Sequence, residues 1–226
     1  MTDIKNFNQT VIFIKKIHAK RDLLKNKYGW LPEKDARVGI FDTWINAVNN
    51  TLLSTIFYIE NLKDNNWWLK NFDGIPKKER LFREKQYENI LRLSFCQFVL
   101  QDIESSLRII LRTIDQKACS DGTASFENVY CFMLKKTNLS TYKNTFKLMR
   151  LIRNTVHNNS FYFEKENESV VFHNIEYKFE VGKPLNFLSW EFILELQDEL
   201  LEIIVQMIDN PYISSLPFLE STGELI

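Results

Sequence analysis

The chain has 226 residues, 29 Lys and Arg against 29 Asp and Glu, and 45% hydrophobic residues. It is long enough for a sizeable core, too apolar for a disordered chain, and lacks the basic excess of a general nucleic-acid binder. Only 6 Gly and 5 Pro leave few turn-formers, which disfavours a sheet-rich protein and favours long helices with few connections.

The N-terminal stretch MTDIKNFNQTVIFIKK has an apolar run of only four residues, Val11 to Ile14, where a secretory signal needs about 7–15. No segment approaches the roughly 20 apolar residues of a membrane span. The longest, Leu52 to Ile59, is interrupted by Ser54 and Thr55. A cytoplasmic protein without membrane contact is expected. Ile4, Phe7, Val11, Ile14 and Ile17 step by three and four, predicting a helix to Tyr28 that stops at Gly29, with Trp30-Leu31-Pro32 opening a connection. Residues 36–62 repeat the pattern through Ile40, Trp44, Val48, Leu52, Ile56 and Ile59. Lys63 to Gly74 reads as a loop or short helix, in which adjacent Trp67 and Trp68 suit wedging against a core or partner.

Lys77 to Lys117 reads as one long helix or two in series. Leu93, Cys96, Leu100, Ile103, Leu107, Ile110 and Ile114 form a heptad seam, which packs such a helix lengthwise against another. Gln97, Gln101, Glu104 and Arg108 run beside it as a polar flank, with the spacing of a solvated edge and a Glu104–Arg108 pair. Ser120-Asp121-Gly122 is a break, and Phe126 to Lys136 a short helix. Ser140 to Asn158 is the next helix, with Asn138 or Ser140 as its N-cap and Asn158-Asn159 at its end. The period then shortens to two: Phe161, Phe163, Val171 and Ile175 to Phe179 alternate, with a polar turn at Glu164 to Ser169 and His173 on a strand surface. A last helix runs from about Phe187 to Ile208, its carboxylates on a solvated face. The fold class expected is mainly α, a helical bundle with a small β-hairpin or meander before the last helix. One domain covers 1–226: N-terminal helices 1–75, core helices 77–160, the hairpin 161–182 and a C-terminal helix 187–208.

The usual enzyme signatures are missing, with no glycine-rich phosphate loop, G-x-S-x-G elbow or His-x-x-x-His pair. His18, His157 and His173 lie far apart with no Cys nearby, so neither a metal nor a cofactor is expected. Cys96, Cys119 and Cys131 are odd in number and read as reduced core thiols. Charge, though balanced overall, is unevenly placed. Between Asn128 and Phe163 lie Lys135, Lys136, Lys143, Lys147, Arg150 and Arg153, with no acidic residue. That window favours an anionic ligand.

Within it stands LMRLIRNTVHNNSFYF, residues 148–163. At helical spacing Arg150, Arg153, Asn154 and His157 share one face. Two accounts fit. Arg and His near a helix C-terminus meet free carbonyls and the negative end of the dipole, a structural cap. Alternatively, arginine grips a phosphodiester through two N–H groups and histidine exchanges a proton near neutral pH, the equipment for RNA cleavage. His157 would then act as general acid, Asn154 would orient it or the substrate, and Lys143 and Lys147 would guide the RNA backbone.

The stretch RNTVHNN, in a helix preceded by a long helix containing IESSLR, resembles the HEPN superfamily of all-α domains. Their signature is Arg, four to six residues, then His, often with a polar residue after the Arg. Arg150 has the spacing but is followed by Leu151; Arg153 is followed by Asn154 but has only three residues between it and His157. Both arginines remain candidates, with Asn158 as a substrate contact and Glu104 as a supporting residue. The resemblance implies a HEPN-like bundle acting as a homodimeric, metal-independent endoribonuclease through 2′-hydroxyl attack. It also implies a toxin–antitoxin or phage-defence setting, with an antitoxin or nucleotidyltransferase-like partner. The alternative is a non-catalytic interaction module of the same fold that dimerises through the heptad seam; nucleotide binding without turnover is a third reading.

Overall fold

The apolar stripes of the four longest helices converge on one core. The computed structural model describes residues 2–31, 34–72, 74–115 and 125–220; Cys119 and the break at 120–122 lie outside them. Helices α1 (Thr2–Tyr28), α2 (Ala36–Phe57), α4 (Lys77–Ile114), α6 (Lys143–His157) and α7 (Trp190–Asp209) close a ring in the order α1–α2–α4–α6–α7, with α7 returning to α1. Helix α5 (Phe126–Lys136) packs on α4 and α6. The protein is mainly α with one antiparallel hairpin, as the composition and periodicity imply. No described helix is long and apolar enough to cross a membrane.

The heptad seam of α4 lies inside this ring. Cys96, Leu100, Ile103, Leu107 and Ile110 are buried, and Leu93 and Ile114 pack at its edge. A seam consumed within the chain is not available for dimerisation, which removes the surface assigned to that role. Cys96 and Cys131 are free thiols. Helix α2 ends in a π-helical turn (Tyr58–Leu62) followed by the short helix α3 (Asn65–Asn71), which bury Tyr58, Leu62 and Trp68 in a satellite core. There Trp68 donates its indole N–H to the Leu62 carbonyl at 2.8 Å, and Trp67 meets it edge-on. The tryptophan pair is a wedge.

Several local expectations are corrected. Asn138 is not an N-cap: at φ 59° it closes α5, with Leu139 N–H bonded back to Leu134 carbonyl at 2.8 Å. Ser140–Tyr142 form a 3-10 turn leading into α6, which starts without a side-chain cap. The hairpin pairs β1 (Glu168–Phe172) with β2 (Ile175–Phe179), and its turn is His173-Asn174 rather than the polar stretch 164–169. Both turn residues have positive φ, 47° and 63°, as a tight two-residue hairpin requires. Phe161 makes only an isolated bridge to Pro184. The carboxylates of α7 are not merely solvated, for Asp198, Glu202 and Asp209 pair with Lys16, Lys20 and Lys27 of α1.

His173 is therefore a turn residue, and it latches the hairpin to α7. Its Nδ1 lies 2.7 Å from Glu195 Oε1 and its Nε2 2.6 Å from Glu199 Oε2. These hydrogen bonds raise its pKa above the ordinary 6.5. The latch is thus complete below that value and is lost as pH rises through the raised one. His173→Ala is expected to lower the melting temperature at acidic pH, the difference from the parent shrinking as the buffer is made alkaline.

At the opposite end, α8 (Pro211–Ser214) and the chain after it are held by Arg37. This guanidinium is buried against both carboxylate oxygens of Asp35, at 2.9 and 2.7 Å. It also donates to the carbonyls of Ile213 and Leu216 and stacks on Trp30 at 3.9 Å. Removing it strands a buried carboxylate and several carbonyls. Arg37→Met is expected to lose about 3–5 kcal/mol of stability, read from urea unfolding.

Candidate functional site

Helix α6 buries Thr145, Phe146, Leu148, Met149, Leu151, Ile152 and Thr155. Its remaining polar residues form two rows rather than one stripe. Lys147 and Arg150 lean towards Glu168 of β1, with Asn154 reaching Glu164 ahead of it; Arg153 and His157, one turn apart, line the wall facing α4. The helix ends at Asn158, and Asn159 and Ser160 at φ 56° and 68° turn the chain back, where asparagine tolerates the left-handed conformation.

The row facing α4 meets the polar flank of that helix. Gln97, Gln101, Glu104, Ser105, Arg108, Arg153 and His157 line an open pocket of about 330 Å³. Glu104 organises it. Only 7% exposed, its carboxylate accepts from Arg108 Nε at 3.0 Å and Nη2 at 2.7 Å, both on Oε1. The other oxygen accepts from Arg153 Nη2. Arg153 also donates through Nη1 to Asn154 Oδ1 at 2.8 Å, and Asn154 donates onward to Glu164 Oε1 at 3.3 Å. A helix with two guanidiniums facing it needs such a counter-charge, because a buried carboxylate is tolerated only when paired. Two arginines and one carboxylate thus meet at the pocket.

His157 differs from its neighbours. It is exposed at the pocket wall, and among the described residues its ring makes no hydrogen bond or ion pair. The helix end is tidied by the backbone instead, with Asn158 N–H reaching the carbonyls of Asn154 and Thr155. The imidazole is not a cap.

The second row is structural in its surroundings. Lys147 Nζ pairs with Glu168 Oε2 at 2.6 Å. Arg150 Nη2 lies 3.7 Å from Glu127 and 3.9 Å from Glu168. Tyr162 donates its hydroxyl to Glu168 at 3.1 Å. Burial pushes the Glu168 carboxyl up, but Lys147, with Tyr162 and Arg150, outweighs it and holds the group below the usual carboxylate range. Burial also drives the Tyr130 hydroxyl beside Arg150 up to about 12. These contacts tie β1 to α6 and set Arg150 and Lys147 apart from the pocket. Lys143 is exposed at the start of α6 and Asn158 at its end, neither lining the pocket.

The structure thus brings together Arg153, His157 and Glu104 and adds Gln97, Gln101, Ser105 and Arg108. The α4 flank carries the expected Glu104–Arg108 pair and, beyond that, forms the pocket's second wall. Its signal was present in the sequence. Gln97, Gln101, Glu104 and Arg108 repeat at heptad spacing one residue after a buried seam, which puts a polar row beside the packing partner. Among the described residues no group of three or more His, Cys, Asp and Glu is arranged to hold a metal ion. No protein-family model, curated protein or solved structure matches the chain.

Glu104→Gln keeps the shape of the side chain and removes the charge that both arginines share. It is expected to destabilise the fold by about 1–3 kcal/mol, measured by urea unfolding. The change is smaller than for a fully enclosed pair because both guanidiniums reach solvent.

Proposed function

We propose that the chain is a HEPN-type, metal-independent endoribonuclease whose active site is the pocket between α4 and α6. One observation carries the reading: His157, exposed and unpartnered among the described residues, shares an open pocket with Arg153 and Arg108. Arg153, held in place by Glu104, grips the non-bridging oxygens of the scissile phosphate, and Arg108 adds to the field. A guanidinium suits the crowded, doubly charged phosphorane of the transition state. The 2′-hydroxyl attacks the adjacent phosphorus and gives up its proton to water. The bond to the 5′-oxygen breaks, and His157 delivers a proton to that leaving oxygen. The products are a 2′,3′-cyclic phosphate and a 5′-hydroxyl end.

Asn154 takes a positioning role, since it bonds Arg153 rather than His157. Arg153 is favoured over Arg150 as the motif arginine, because Arg150 sits among Glu127, Glu168 and Tyr130. Lys143 is exposed and suited to the RNA backbone, while Lys147 must first leave Glu168. The homodimer implied by the resemblance finds support in the exposed, mutually stacked Phe161 and Phe163 just past the end of α6, an apolar pair that a second copy would cover.

Purified protein incubated with mixed RNA in EDTA is expected to leave 2′,3′-cyclic phosphate ends. His157→Ala lowers cleavage by about 10²–10⁴-fold with little change in melting temperature. Arg150→Ala lowers the melting temperature without a comparable loss of cleavage. If parent and His157→Ala cleave equally, or neither cleaves, the reading falls to the non-catalytic interaction module.

A further inference from the structure

On the face of α4 next to the Arg153–His157 pocket, α2 and α4 enclose a groove of about 290 Å³. Its floor includes the buried ring of Phe95; its walls carry Asn46 and Asn50 from α2 and Ser94, Phe98 and Asp102 from α4. Asp102 is the one charged residue lining it among the described residues. Phe98, one turn before Asp102, leaves 60% of its surface exposed at the mouth. Among the described residues Asn46, Asn50 and Asp102 make no side-chain hydrogen bond or ion pair. A half-buried carboxylate without a partner is costly to keep, and nothing offsets its burial, which pushes Asp102 up to about 6. Its oxygens are left in want of donors.

These features select the occupant. A phosphate is repelled by Asp102. An aliphatic chain leaves the carboxylate unpaired. A bare ammonium neutralises the carboxylate but leaves the Phe98 ring and the two amides idle. A flat ring with neighbouring N–H donors on one edge satisfies all of them, since the ring stacks on Phe98 while its donors meet Asp102. Among nucleobases guanine carries two such donors side by side, its ring N1–H and its exocyclic amine, with an adjacent carbonyl for an Asn46 or Asn50 amide. The volume is at the low end for a ligand pocket, roughly 300–1,000 Å³, which suits one base. A continuous track also connects the two sites. Ser94 and Phe98 border both the groove and a middle hollow, and Gln97 borders both that hollow and the Arg153–His157 pocket. The track crosses a single helix, roughly 10–12 Å with its side chains.

We propose that the α2–α4 groove is a guanine subsite of the Arg153–His157 pocket, with Phe98 stacking on the base and Asp102 accepting its two N–H donors. As a specificity subsite it rests on the ribonuclease reading, and it assigns that enzyme a preference for RNA with guanine next to the scissile phosphate. Asp102 and Phe98 bind the base and take no part in the chemistry.

The test is calorimetric titration of the protein with guanosine 3′-monophosphate and with its adenosine, cytidine and uridine counterparts, alongside Asp102→Asn and Phe98→Ala. Guanosine monophosphate is expected to bind about tenfold or more tighter than the others, the scale of one well-placed charged hydrogen bond. Asp102→Asn, which swaps an acceptor for a donor, erases the preference. Phe98→Ala weakens all four by about tenfold. Asp102→Asn relieves a buried charge and is expected to melt no lower than the parent. Should it fail to fold, the exposed Phe98 still reports on stacking. Equal binding of all four nucleotides, or a preference that survives Asp102→Asn, overturns the subsite. Binding needs no turnover, which separates the two ideas. A guanine preference in a protein that leaves RNA intact sustains the subsite as a nucleotide-binding groove and sinks the ribonuclease, whereas guanine-blind cleavage that depends on His157 does the reverse.

Discussion

Glu104 is the constraint on which the candidate site depends. A carboxylate 7% exposed on a core-facing helix is tolerated only with positive charge against it, and Arg108 on its own helix leaves one oxygen unserved. Arg153 of α6 takes that oxygen. This single interhelical ion pair draws the polar edge of α6 against the polar flank of α4. In doing so it fixes which arginine faces the pocket and leaves the neighbouring imidazole of His157 without a carboxylate of its own.

The same pair explains why α6 presents two functional sides. Once Arg153 turns to α4, the remaining polar residues of the helix, Lys147 and Arg150, face the segment that returns over α6 after the left-handed Asn159-Ser160 turn. There Glu168 collects them with Tyr162. The hairpin is held from both ends, by Glu168 on α6 and by His173 on the two α7 carboxylates. It buttresses the helix that carries the pocket, and none of its residues lines that pocket.

Helix α4 serves three surfaces at once. Its seam fills the core, its Gln97–Arg108 flank walls the pocket, and its Ser94-Phe98-Asp102 row walls the groove towards α2. A long amphipathic helix ordinarily has one buried and one solvated face. Here the polar part is divided between its two neighbours, α6 and α2, so two hollows of different lining sit on adjacent faces of one helix.

Much of the architecture was legible in the sequence. The helices follow from apolar residues three and four apart, the seam of α4 from its heptad step, and the end of α6 from Asn158-Asn159, because hydrophobic periodicity and helix termination are local properties of a chain. Periodicity was less informative where strands are short: it marked alternation near Phe161 but not the His173-Asn174 turn, whose positive φ angles are supported by pairing across the hairpin. Only the tertiary structure decided the site. Arg150 and Arg153 are equivalent by spacing to His157, and their separation depends on which carboxylate each meets, Glu168 or Glu104, residues 18 and 49 positions away in the chain. Sequence sets the face on which a side chain stands, whereas its electrostatic partner is chosen by whatever element packs against that face.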